Sequence, residues 1–86
     1  MDGDSMKVKR KSGAVEDFVR EKIVVAVIKA GGKVDLARAI AQETENEFGG
    51  RDVVATQEIK QKILDKLKAR DAATYSSWIK YDETKN

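Results

Sequence analysis

The sequence predicts an α+β fold that is mainly helical: a four-helix bundle capped by an N-terminal β-hairpin or small β-sheet. Three observations carry that prediction. Apolar side chains recur at helical spacing in successive segments. A Ser12-Gly13 pair separates two short segments near the start, as a hairpin turn does. Glycine pairs at Gly31-Gly32 and Gly49-Gly50 stop two of the helical segments, and proline is absent.

The elements follow in order. Lys7 to Lys11 and Ala14 to Phe18 flank the Ser-Gly pair and are expected to pair as a hairpin. Val19 to Ala30 is rich in β-branched residues, which suit a strand. Its length of about a dozen residues and the glycine stop favour a buried helix instead. Leu36, Ala37, Ile40, Ala41, Thr44 and Phe48 form the stripe of a second helix. Asp52 to Ala55 is a short extended segment. Thr56 is expected to cap a third helix whose stripe is Ile59, Ile63, Leu64 and Leu67. Asp71 is expected to cap a fourth, with Ala72, Tyr75, Ser76 and Ile79 on its inner face. Short helices are marginal alone, so these must pack together. The expected domain is 7–81, with a flexible leader at 1–6 and a flexible tail at 82–86.

Composition narrows function. The chain has 86 residues and a net charge of +2, room for one small core and no second domain. It contains neither cysteine nor histidine, which removes thiolate chemistry and the commonest general base and metal ligand. The chain is therefore expected not to be an enzyme. The longest apolar run, Ile23 to Ile28, is far short of the roughly 20 residues a membrane helix needs. The acidic start lacks an apolar stretch, so no secretory signal is expected and a cytoplasmic location is.

Charge is unevenly spread. Residues 7–33 carry +5, residues 34–59 carry −4 and residues 60–86 carry +3. The basic parts would attract an anion if folding brings them together. The lysines of the third helix (Lys60, Lys62, Lys66, Lys68) read more simply as a solvated face. The cluster Lys7, Lys9, Arg10 and Lys11 is denser and lies near a helix start, where free N–H groups suit phosphate. The plain alternative is a charged edge strand that resists aggregation. Gly31-Gly32-Lys33-Val34 is not a phosphate loop, because the upstream glycine and the hydroxyl residue are missing.

An ordered set of residues resembles a known family. Val8-x-Arg10-Lys11-x-Gly13 is followed by Glu16, Phe18 and Glu21-Lys22-Ile23, then Thr56-x-x-Ile59 and Ala72-x-x-Tyr75-x-x-Trp78. The set covers residues 7–79 and is similar to the ATP-cone domain. That domain is the allosteric nucleotide-binding module of many ribonucleotide reductases and of the reductase-operon repressor. The resemblance implies ATP or dATP as ligand, with Mg²⁺ as companion to the triphosphate. It implies phosphate contacts from Arg10, Lys11 and Lys22, and an adenine or ribose wall at Val8. It implies a nucleotide contact from Glu16 and a hydrogen bond from Thr56. Phe18, Ile23, Ile59 and Leu67 look like core. The family pattern is departed from in three places: Val19 stands where a polar residue is usual, Lys11-Ser12 precedes Gly13 where Arg-Asp is usual, and the last aromatic is Trp78 rather than tyrosine.

Each candidate also has a plain structural reading. Thr56 could serve only as a cap, Lys22 could pair with a nearby acid, and Glu16 could pair across strands. Tyr75 and Trp78 suit a core better than a base-stacking shelf. The expected function is a free-standing nucleotide-sensing module that signals occupancy to a partner or through self-association. A reductase subunit or a transcription regulator is the partner the resemblance suggests. The alternatives are a small nucleic-acid-binding module using the basic hairpin, or a cone that keeps the fold without the ligand and serves as a protein-interaction domain. No membrane partner is expected.

Overall fold

A computed structural model describes residues 6–85, with side chains through Asp82. The order is β1 (Lys7–Lys9), β2 (Val15–Asp17), α1 (Arg20–Lys29), α2 (Val34–Glu47), β3 (Val53–Ala55), α3 (Thr56–Arg70) and α4 (Ala72–Lys85). The expected class, a mainly helical α+β fold with four helices and a small sheet, is what forms.

The hairpin turns through Arg10–Gly13, closed by Gly13 N–H donating to the Arg10 carbonyl at 2.9 Å. Gly13 supplies the positive φ, +97°, that this turn requires. Val8 faces Glu16 across the ladder. The segment expected to be extended becomes a third strand, which pairs in parallel with β1 (Val8 opposite Val54) and makes the order β2-β1-β3. Alternation then exposes Val53 and buries Val54 completely.

The helices bury the expected stripes: Ile23, Val24 and Val27 from α1, Ala37, Ile40 and Ala41 from α2, and Ile59, Ile63 and Leu67 from α3. α1 ends in a Schellman motif. Gly32 N–H donates to the Val27 carbonyl and Gly31 N–H to the Ile28 carbonyl, both at 2.9 Å, with Gly31 at φ +107°. Asp71 caps α4 as expected: Thr74 N–H donates to Oδ1 at 3.1 Å and the Thr74 hydroxyl to Oδ2 at 2.6 Å. The Thr74 hydroxyl, and after it the backbone donors, hold the Asp71 carboxyl below its usual range.

Four expectations change. Thr56 is the first residue of α3 rather than its cap. Ala55 precedes it and has no side-chain acceptor. The start of α3 is secured from the other side, by Glu58 Oε2 accepting from Ala55 N–H at 3.1 Å. Arg51 grips the same Glu58 carboxylate with both terminal nitrogens, at 2.9 and 3.2 Å, locking β3 to α3. The inner face of α4 is Thr74, Tyr75, Trp78, Ile79 and Asp82, while Ala72 and Ser76 are exposed. The stripe turns this way because α4 packs on α3, with Asp71 and Thr74 pinning its first turn.

The other two concern boundaries and the α3 lysines. Met6 already packs against the core and its carbonyl accepts from Phe18 N–H at 3.0 Å; the remainder of the expected leader, 1–5, lies outside the described residues. α4 continues to Lys85, past the expected boundary at 81, and Asp82 is tied to Lys60. The α3 lysines are not one solvated face. Lys66 reaches Glu47 at 2.5 Å and Glu43 at 3.3 Å, Arg70 reaches Glu43 at 2.7 Å, and Lys62 reaches Glu47 at 3.3 Å. The acidic middle of the chain is thus matched by the basic segment that follows it.

One buried group is left over. The Thr44 hydroxyl, fully buried in α2, has no hydrogen-bond partner among the described residues. Thr44→Val is therefore expected to stabilise the fold by about 1–2 kcal/mol, the usual cost of a buried unpaired hydroxyl. Gly31→Ala should act oppositely, costing about 1–2 kcal/mol for a left-handed backbone. Denaturant midpoints check both signs; a Thr44→Val midpoint at or below wild type would mean that the hydroxyl is satisfied.

Candidate functional site

The sheet and the helices enclose a cavity of about 340 Å³ at the hairpin end of the molecule. That is within the usual range for a small-molecule site. Regular geometry builds it. Strand alternation points Val8 and Arg10 from the β1 side, and Glu16 and Phe18 from the β2 side, toward the same space. α1 adds Val19, Lys22, Ile23 and Ala26 at i, i+3, i+4 and i+7. α3 adds Thr56, Ile59, Lys60 and Ile63 at the same intervals, and α4 adds Trp78 and Asp82. Buried Ile23, Ile59 and Ile63 form an apolar floor, while exposed Arg10, Lys22 and Thr56 stand at the opening.

Five of the six candidate residues, Val8, Arg10, Glu16, Lys22 and Thr56, line this one cavity. Lys11 does not; it stands exposed in the hairpin turn. Thr56 does not cap, and its hydroxyl instead donates to the Lys9 carbonyl at 3.2 Å, tying α3 to β1. Phe18 is half-buried, packing on the core with one side and walling the cavity with the other. Tyr75 stays with the core, beneath the Lys68 ammonium at 5.9 Å. Trp78 does both, resting on the core and lining the cavity.

The charges are organised in pairs. Glu16 is central: it accepts from Lys22 Nζ at 2.9 Å and from Arg10 Nη1 at 3.0 Å. The Lys22 ammonium, then the Arg10 guanidinium, hold the Glu16 carboxyl below the usual carboxylate range. Lys60 pairs with Asp82 at 2.5 Å, and Asp17, which also lines the cavity, pairs with Lys7. Every cation lining the cavity thus already holds a carboxylate. These pairs are solvent-accessible, with the Arg10 and Lys22 side chains 62% and 66% exposed. Exposed pairs of this kind contribute little stability and exchange readily.

Lys60 and Asp82 are the functional candidates that sequence reasoning missed. A signal existed for Lys60: it follows Thr56 by four residues, so the two share a helix face. Asp82 had none, because its place depends on how α4 lies against α3. A second, wider cavity of about 710 Å³ adjoins the first between α1 and α4, and Lys22, Ala26, Trp78 and Asp82 border both. Among the described residues no cluster of three acidic side chains could cage a metal ion. No described helix is long and apolar enough to cross a membrane.

A family model described as the ATP cone domain matches residues 6–86. The chain belongs to the ATP-cone family. The ATP cone is a nucleotide-binding regulatory module. The cone is also similar to the transcriptional repressor NrdR of Halomicrobium mukohataei, 26% identical over 82 residues. That alignment covers 88% of this chain and 51% of the repressor, so the chain spans about half the length of that relative.

The Glu16 cluster yields a direct test. Its depressed pKa means that the carboxylate stays charged at pH values below the ordinary carboxylate range, and that the pairs are lost as pH falls through the lowered value. The Glu16 side-chain resonance is expected to titrate below the ordinary glutamate range. In Lys22→Ala its midpoint should rise toward that range. An unchanged midpoint would show that Lys22 does not hold the carboxylate in solution.

Proposed function

We propose that this cone binds ATP or dATP in the cavity beneath the hairpin and passes its occupancy to another protein or to a second copy of itself. One observation carries the proposal: side chains from β1, β2, α1, α3 and α4 converge on one cavity with an apolar floor and a cationic opening. A nucleotide needs that combination, an apolar bed for the base and fixed cations for the phosphates.

In this proposal Arg10 and Lys22 bind phosphate oxygens, exchanging Glu16 for the ligand. Released Glu16 can then accept from the exocyclic amine or a ribose hydroxyl. Val8 borders the base or sugar, and the Thr56 hydroxyl turns from the Lys9 carbonyl to the ligand. Lys11, off the cavity, contributes only a longer-range field. Mg²⁺ would arrive with the triphosphate, held by phosphate oxygens and water, as this ion commonly is. The role is regulatory and non-catalytic. A transcription regulator, as the name of the haloarchaeal relative suggests, or a reductase subunit is the partner proposed.

The nucleic-acid alternative is less well supported. Lys7 and Arg10 are tied to Asp17 and Glu16, which reduces the field the hairpin offers to a phosphate backbone.

Titration with ATP and with dATP in the presence of Mg²⁺, followed by amide chemical shifts, tests the proposal. Shifts are expected at Val8–Gly13, Glu16, Lys22 and Thr56. Arg10→Ala and Lys22→Ala should each weaken binding about tenfold or more, the worth of a charge-assisted hydrogen bond, without altering the melting temperature greatly. Lys11→Ala should weaken it less. No shift at millimolar nucleotide would mean that the fold is kept without this ligand.

A further inference from the structure

We propose that Lys60 and Asp82 form a latch that a polyphosphate in the cavity opens, so that occupancy is passed to the C-terminal turns of α4. This rests on the nucleotide-binding proposal above and adds its route of regulation. Lys60 lines the cavity one turn beyond Thr56, and its ammonium is held by Asp82 at 2.5 Å. A polyanion seated against Arg10 and Lys22 competes for the same ammonium. When Lys60 turns to the ligand, Asp82 loses its partner and faces like charge across the cavity. Repulsion then works against the contact between α4 and α3.

The end of α4 is suited to respond. Near its start the helix is anchored by the Asp71 cap and by Thr74, which is 3% exposed. Toward its end the burial fades: Trp78 and Ile79 are half-buried and Tyr81 is 63% exposed. With so little apolar surface buried there, those turns can be displaced at low cost, and the Lys60–Asp82 pair is one of the contacts that sets their position. Asp82 and Trp78 also border the wider cavity between α1 and α4. A small displacement of α4 therefore changes the shape of that groove, whose wall includes Val25, 48% exposed. An event beneath the hairpin becomes legible on a different face of the molecule.

The experiment uses Asp82→Asn, Lys60→Ala and the double variant, titrated with ATP and Mg²⁺ and followed by amide shifts. Asp82→Asn frees Lys60 and removes a competing carboxylate, so it should tighten ATP binding roughly three- to fivefold, the range of an exposed ion pair. Lys60→Ala should weaken binding, and Asp82→Asn should tighten it less in that background than in the wild type, because only the relief of repulsion is then left. In the wild-type cone the amides of 76–82 should shift on saturation. In Asp82→Asn they should sit near the saturated position before ATP is added. If the hairpin amides shift with ATP but those of 76–82 stay still, and Asp82→Asn binds with wild-type affinity, the latch is overturned and the nucleotide site stands. If the wild-type hairpin amides do not shift, the nucleotide site is overturned and the latch with it.

Discussion

The parallel pairing of β1 with β3 is the constraint on which the rest of this small fold depends. It joins residues 7–9 to residues 53–55, with two helices between them. A three-residue hairpin alone is not stable in water. Here it gains a third strand, and the buried Val54 of that strand anchors the sheet to the bundle. The Thr56 hydroxyl on the Lys9 carbonyl repeats the link one residue further on. Arg51 and Glu58 keep β3 in line with α3. Closing so long a loop is entropically costly, and distributed contacts of this kind offset the cost. The cavity exists because of this pairing, which brings a basic hairpin over the starts of α1 and α3.

Electrostatics then divides the molecule into two regimes. Between α2 and α3, Glu43 and Glu47 meet Lys62, Lys66 and Arg70 in a network whose Lys66 side chain is only 14% exposed. Glu47 raises the affinity of Lys66 for its proton against the burial that opposes it. That network serves the fold. Around the cavity the cations that hold Glu16 are more exposed, and each cation has one carboxylate partner or shares one. A ligand phosphate can replace such a carboxylate with little loss, because the displaced acid returns to water. On the proposed reading the cavity is therefore arranged but not committed. Its cations are held in position by acids that a more highly charged anion can outcompete.

Much of the fold was legible because it depends on local rules. The stripes of α1, α2 and α3, the glycine stop after α1 and the Asp71 cap each rest on residues within a few positions of one another. The family pattern also pointed to Val8, Arg10, Glu16, Lys22 and Thr56, which line one cavity. What could not be read depends on distant partners. Thr56 has the composition of a cap, but parallel pairing extends β3 to Ala55 and gives the Thr56 hydroxyl a strand carbonyl instead. The inner face of α4 is set by its packing on α3, and its hydrophobic stripe is too weak to declare itself. Lys66 and Lys60 look alike in sequence, yet one faces α2 and the other the cavity, because six residues on a helix point in different directions.

The same contrast bears on the sensing role proposed for this domain. A sensor needs a ligand to distinguish two arrangements, and a rigid core of this size offers few alternatives. The freedom lies in the charge pairs at the periphery of the core. Glu16 belongs to the sheet and Asp82 to the end of α4, while their cations belong to the hairpin, to α1 and to α3. Any anion that exchanges those partners rewrites contacts between four elements without disturbing Ile23, Ile59 or Leu67 beneath them. Val19 adds to this freedom, since α1 begins with no side-chain cap and its first turn is held mainly through Lys22, Arg20 and Glu21 to other elements. Stability resides in the apolar floor and responsiveness in the ionic rim, and the cavity is where the two meet.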